Sequence, residues 1–246
     1  MSEPINILTK KLKIPASNAR ITFTNNSADI RDYFALHQVA FKNASKQVRR
    51  LSHLLDKSTY VLVASLWEAY CEDIVTECLD YITEYATTYQ ALPQSIREDI
   101  QKGMRSGKDS PWDLAGDGWR DYVRNRNPGF ERKRNKDFAG PKSAAVEQLF
   151  LNALGIEDLR SRWQISGSPS ICDELDAHLE RRNRIIHQFT PGRVVNKNDV
   201  KAFCKTVVRL IAYTDTAADE FLIRTTGKSC WTSAMTTDIE EPSEII

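Results

Sequence analysis

The chain has 246 residues, 41% of them apolar and 27% charged, an ordinary balance for a folded globular protein that excludes disorder throughout. Its 34 basic and 33 acidic side chains leave a formal charge of +1, so it is no polycation that coats nucleic acid indiscriminately; contact with nucleic acid would need a local patch. There is no window of about 18 apolar residues, and no membrane span is expected.

Residues 1–27 read as an N-terminal extension containing Pro4, Pro15 and Asn25-Asn26, with a short strand expected at Ile21-Thr22-Phe23-Thr24. The opening Met1-Ser2-Glu3-Pro4-Ile5-Asn6 lacks a basic start leading into an apolar core, so no signal peptide is expected. Five cysteines, Cys71, Cys78, Cys172, Cys204 and Cys230, form no CxxC pair and are odd in number. A reducing, cytoplasmic location is the simplest reading, with Cys71 and Cys78 as small core residues on one helical face.

Ile30, Phe34, His37, Phe41, Ala44, Val48, Leu51 and Leu55 recur at spacings of three and four, which predicts one long helix with Ser27 as its N-cap. A second helix is expected over 58–89, on the stripe Val63, Trp67, Tyr70, Ile74, Cys78, Tyr81 and Tyr85, with Pro93 ending the segment and a short helix over 93–102. Glycines and prolines then punctuate residues 103–140, a loop-rich insertion with one helical turn near Trp119–Arg124. Helical spacing resumes at Lys142–Leu154, where Val146, Leu149, Phe150 and Ala153 point inward and Gly155 stops the helix. Ser168-Pro169 opens another helix, which carries Leu175, His178, Leu179, Arg182, Ile185 and Ile186 and is closed by Pro191-Gly192. The last helix, over 198–222, presents Val200, Phe203, Val207, Leu210, Ala217 and Phe221 on one face. An acidic, flexible tail follows. At least four long amphipathic helices with almost no alternating pattern predict an all-α, up-and-down helical bundle.

Phosphate-binding glycine motifs, HExxH, paired Cys/His ligand spacing and GxSxG are all missing, so neither a cofactor nor a metal is expected. Of the four histidines, His37, His53 and His178 read as structural. His187 differs. It ends the run Glu180-Arg181-Arg182-Asn183-Arg184-Ile185-Ile186-His187, in the last turn of its helix, with Asn183 four residues back on the same face. An imidazole can move protons, a guanidinium can hold a phosphate with a fork of donors, and an amide can orient either. The competing reading is electrostatic: helix C-termini attract cations, and Glu180 with Arg184 can form a surface pair. Between residues 120 and 136, seven basic side chains (Arg124, Arg126, Arg132, Lys133 and Arg134 among them) outnumber two acidic ones, with Trp119, Tyr122 and Phe130 in or beside the run. Charge with interleaved aromatics suits single-stranded RNA, and a solvated loop is the plainer alternative. Glu68 and Glu72, one turn apart, read as polar edges or interface residues.

The run Arg182-Asn183-x-x-x-His187 resembles the R-x4–6-H signature of HEPN domains in its R-N-x-x-x-H form. Trp67-Glu68-Ala69-Tyr70 is similar to the W-E-x-Y helix of stand-alone prokaryotic HEPN proteins of the RiboL-PSP type. The loose R-x4–6-H pattern is expected about 0.9 times by chance in this composition, and Arg31 to His37 fits it too; requiring the asparagine and the spacing lowers that to about 0.015. The resemblance implies an all-α HEPN-like domain over 28–225 that includes the 103–140 insertion, between the 1–27 extension and the 226–246 tail. It further implies a homodimeric, metal-independent endoribonuclease. Arg182, Asn183 and His187 would be catalytic, and Arg181, Arg184 and the 124–134 cations would bind RNA. A role in toxin–antitoxin or phage-defence systems would follow, with an antitoxin as partner. Phe189 stands where some HEPN toxins carry a tyrosine that their antitoxin modifies, so that control is not expected. The alternative is a HEPN binding module without catalysis, acting through a protein partner.

Overall fold

A computed structural model describes residues 14–41, 45–107, 110–124, 140–163, 170–187, 195–231 and 236–237. They form an all-α bundle: α1 (Asn18–Asn26), α2 (Ala28–Ala40), α3 (Lys46–Tyr85), α4 (Gln94–Arg105), α5 (118–124), α6 (Ser143–Leu154), α7 (Leu159–Arg162), α8 (Ile171–His187) and α9 (Lys197–Thr226). A two-residue antiparallel pair, β1 (Ile14–Pro15) with β2 (Thr236–Thr237), ties the two ends of the described chain together.

The 40 residues of α3 make a rod of about 60 Å at 1.5 Å per residue. It packs against α9 most extensively, and also against α1, α2, α6 and α8. Tyr60 meets Phe203 and Tyr70 reaches the Ile211 carbonyl, so α3 and α9 run parallel. Arg181 pairs with Asp199 and Glu174 accepts from Thr206, so α8 runs antiparallel to both. Trp67, Trp163, Tyr60, Tyr70, Phe150 and Phe203 are fully buried where these helices meet.

Local chemistry sets the helix ends. The Ser17 hydroxyl accepts the Arg20 N–H and starts α1, the Ser45 hydroxyl accepts the Val48 N–H and starts α3, and Asn196 with Asp199 forms a capping box on α9. Gly155 closes α6 at φ 68°, the left-handed conformation that glycine adopts without cost, as expected. Arg120 joins α5 to the end of α3. Its guanidinium stacks on Trp119 at 4.3 Å and donates to the Thr83 and Ala86 carbonyls.

A buried polar knot fastens the bundle. Asp215 of α9 accepts from the Tyr70 hydroxyl (2.6 Å), the Ser17 hydroxyl (2.8 Å) and the Ser17 N–H (3.2 Å), with Arg20 at 4.0 Å. Burial pushes the Asp215 carboxyl pKa up, while the bonds from Tyr70 and Ser17 pull it down.

Several expectations need correction. The strand expected at Ile21-Thr22-Phe23-Thr24 is helical, inside α1. Tertiary contacts override its β-branched composition: the Glu77 carboxylate accepts the Asn18 and Ala19 amides, satisfying the orphan donors of a helix start. The long helix expected from residue 28 is two helices, because α2 ends at Ala40 and Ser45 caps a new one. Accordingly α3 starts at Lys46 rather than 58; it also stops at Tyr85, short of 89, and a separate 3-10 turn covers Tyr89–Ala91. Ser27 precedes α2, but its hydroxyl donates to the Thr24 carbonyl and caps nothing. Leu51, assigned to the apolar stripe, is 57% exposed. The Ser168-Pro169 start and the Pro191-Gly192 stop lie outside the described residues, as does most of the tail. No described helix is long and apolar enough to cross a membrane.

Candidate functional site

The first half of α8 is anchored. Leu175 and Leu179 are fully buried, and Ile171 and Cys172 almost so. The second half emerges: Arg181, Arg182 and Asn183 are half-buried, and Arg184, Ile186 and His187 are exposed. The same helix therefore carries a core stripe and, one turn on, a polar end.

Arg182 and Asn183 are joined, Arg182 Nη1 donating to Asn183 Oδ1 at 3.1 Å. Arg182 Nε is buried without a hydrogen-bond partner, a donor left unmet beside the surface. Gly140 lies against this pair. A Cβ built on it would stand 3.4 Å from Arg182 Nη1 and 3.9 Å from Asn183 Oδ1. His187 is the last residue of α8, four after Asn183 and so on the same flank. A guanidinium with a buried, unpaired Nε–H, an amide and an exposed imidazole at a helix end have the parts to hold a phosphate and move a proton.

The other cations expected to bind RNA are placed differently. Arg181 is committed to Asp199 at 2.6 Å, which secures α8 to α9. Arg184 is exposed at the same end as His187. Arg124 sits on α5, between Glu84 (3.1 Å) and Asp121 (3.6 Å). Arg126, Arg132, Lys133, Arg134 and Phe130 lie outside the described residues, as does Phe189.

Of the remaining histidines, His37 and His178 have structural partners, as read from the sequence. His37 Nε2 lies 2.8 Å from Asp56 Oδ1, which also accepts from the Tyr33 hydroxyl at 2.6 Å; His53 Nδ1 is 3.9 Å from the other oxygen. His178 Nδ1 meets the Tyr60 hydroxyl at 2.6 Å, and its ring stacks on Phe203. Burial, helped by the positive Arg181, lowers the His178 pKa to about 4 from an ordinary 6.5. The unfolded chain therefore takes up this proton at higher pH than the folded one. By linkage the protein is expected to lose stability as pH falls from 6.5 towards 4. Urea midpoints at pH 7.5 and pH 5 check this: the drop should be smaller in His178→Gln than in the wild type.

Reading the sequence did not find the groups that hold residues 140–143, of which Gly140 lies beside Arg182. Glu68 Oε2 accepts the Gly140 N–H at 3.1 Å, Trp67 Nε1 donates to the Pro141 carbonyl at 3.3 Å, and Asp176 accepts from Ser143 N (2.7 Å) and Oγ (3.0 Å). Lys142 pairs with Glu180 at 2.8 Å, holding that carboxyl below its ordinary range. The W-E-x-Y run was the available signal: Trp67, Glu68 and Tyr70 each make a long-range hydrogen bond. Two cavities, of about 760 and 990 Å³, open elsewhere, one along α3 by Glu77 and Tyr81 and one between α4 and Trp119. Among the described residues, no cluster of three or more His, Cys, Asp or Glu is arranged to hold a metal.

An all-helical bundle whose penultimate long helix ends in R-N-x-x-x-H, packed on a W-E-x-Y helix, is a HEPN domain. The RiboL-PSP-HEPN family model matches residues 25–220, and the chain belongs to that family. Neither a curated protein nor a solved structure matches it.

Proposed function

We propose that the chain is a HEPN-type endoribonuclease that cleaves RNA by attack of the substrate's own 2′-hydroxyl on the adjacent phosphate. The observation that carries this reading is the Arg182–Asn183 pair, with a buried, unmet Arg182 donor one turn from exposed His187. Arg182 holds the phosphate and balances the charge that builds on it. Asn183 fixes the guanidinium. The His187 imidazole takes the 2′-hydroxyl proton, the new O–P bond forms, and the bond to the 5′-oxygen breaks. That oxygen needs a proton from a second acid. The products carry a 2′,3′-cyclic phosphate and a 5′-hydroxyl.

In this reading a second copy supplies the second acid, its own His187 in protonated form. An apolar surface supports the dimer. Leu36 and Val39 of α2 and Leu51 and Leu54 of α3 are all exposed, Val39 by 85%. His178 is level with Tyr60, and α8 runs antiparallel to α3. Nine residues further, about 13 Å along the axis, His187 lies at the height of Leu51 and Leu54. The end of α8 and the exposed Leu51 and Leu54 thus share one end of the bundle, and pairing through these side chains would bring two α8 ends together. Such an enzyme suits a toxin of a toxin–antitoxin or phage-defence system, restrained by a protein partner in the cytoplasm.

The test is incubation of purified protein with single-stranded RNA in EDTA, followed by analysis of the fragment ends. Cleavage to cyclic-phosphate ends that resists the chelator is expected; intact RNA would favour the binding-module reading. Leu54→Asp is expected to give a monomer in light scattering and to lose most cleavage, with the helical spectrum kept.

A further inference from the structure

Gly140, on a short strap over residues 140–143, stands beside Arg182, and one carboxylate on α3 holds that strap. We propose that Glu68 is a positioning residue for Arg182, acting through the backbone of Gly140. The proposal rests on the ribonuclease reading for the purpose of Arg182, though not for the contacts themselves.

Residues 140–143 cross from α3 to α8. Glu68 fixes the Gly140 amide, Trp67 the Pro141 carbonyl, and Asp176 and Glu180 take Ser143 and Lys142. Gly140 has φ 67°, and its α-carbon faces the Arg182 guanidinium and the Asn183 amide oxygen. No larger residue fits without strain: the backbone angle disfavours a Cβ, which would also come into van der Waals contact with Arg182 Nη1 at 3.4 Å. Arg182 is therefore held by its bond to Asn183, with Gly140 beside it. An unconfined arginine populates many rotamers, and holding it in one before substrate arrives removes that entropy from the reaction.

Glu68 is the link from α3 into this arrangement. Its hydrogen bond to a backbone amide is charge-assisted, and removing the carboxylate leaves the Gly140 N–H without that acceptor. The strap then loosens at the residue that fences the guanidinium. Glu68→Gln keeps an oxygen acceptor in the same place, so it separates the hydrogen bond from the charge. Gly140→Ala disturbs the same point from the other side and leaves the carboxylate intact.

The experiment measures two quantities on wild type, Glu68→Ala, Glu68→Gln and Gly140→Ala, well below each thermal midpoint. The first is solvent-exchange protection of the Arg182 Nε–H in nitrogen–proton NMR spectra, assigned with Arg182→Lys. The second is kcat and KM on a short RNA. Glu68→Ala and Gly140→Ala are expected to lose the protection and to lower kcat by about 10²-fold, with KM nearly unchanged. Glu68→Gln is expected to restore most of both, a rescue that a merely structural charge would not show. Retained protection and full kcat in Glu68→Ala would overturn the proposal. Should the wild type cleave nothing, the ribonuclease reading falls, and the Nε–H protection alone decides whether Glu68 holds Arg182.

Discussion

His187→Ala is expected to lower RNA cleavage by about 10²–10⁴-fold, the range for removing a general acid or base, and to leave the fold almost untouched. The imidazole is exposed at the last position of α8, beyond the buried stripe, so no core contact goes with it. The one structural term at stake is the favourable pairing of a cation with a helix C-terminus, about 0.3–1 kcal/mol when the ring is charged. For a protein of this size that moves the thermal midpoint by about 1–4 °C at most. In a homodimer both copies lose the group, so acid and base disappear together. Mixing wild-type and His187→Ala chains sharpens the test: heterodimers with one imidazole should recover little activity if two are needed. Expression in cells should follow the same order, with wild type toxic and His187→Ala harmless. A large drop in the midpoint would instead make His187 a structural residue. Arg182→Ala is a poorer probe of chemistry alone, because buried guanidinium surface is lost with the charge.

Asp215→Ala is expected to produce the largest loss of stability of any single change described, about 3–5 kcal/mol. The carboxylate is 1% exposed and accepts three hydrogen bonds beside a nearby guanidinium. Removing it strands both Ser17 donors and a buried Arg20, and leaves the Tyr70 hydroxyl only its longer contact to the Ile211 carbonyl. At about 2–4 °C per kcal/mol, the midpoint falls by roughly 6–20 °C. Asp215→Asn keeps one acceptor and should lie between the two. Thermal melts of the three proteins, followed by helix content, decide this. A midpoint for Asp215→Ala within a degree or two of wild type would mean that water takes the carboxylate's place. Cleavage by the folded fraction should be unaffected, since the knot lies away from α8 in the contacts it makes.

Most of the helical architecture was legible because helical periodicity is a property of single residues counted at short range. The stripes on α6 and α9 are buried as read, from Val146 to Ala153 and from Val200 to Ala217. Helix boundaries were less legible where a cap competes with a continuing stripe. Ser45 starts a new helix inside the apparent run that joins Phe41 to Val48, and a stripe cannot register a break that happens to keep its phase. The motif on α8 could be read because its residues are neighbours in the chain. Its surroundings could not: Glu68 and Gly140 are 72 residues apart and meet only through the tertiary fold. In the same way Asp215 looks like one more polar residue on a helix, until the fold brings Ser17 to it from 198 residues away.

That knot also sets an order of events during synthesis. The core-facing side of α3 leaves the ribosome early, yet its principal partner, α9, is made last among the described helices. At about 5–20 residues per second, on the order of ten seconds separate the end of α3 from Asp215. Throughout that interval Trp67, Ile74 and Cys78 lack the helix that packs most extensively on theirs. The same schedule governs α8, whose Arg181 gains its partner only once Asp199 has emerged. A chain about three-quarters made thus carries the complete Arg182–His187 run before the bundle that shapes it, and assembly of the fold waits on nearly the whole message being read.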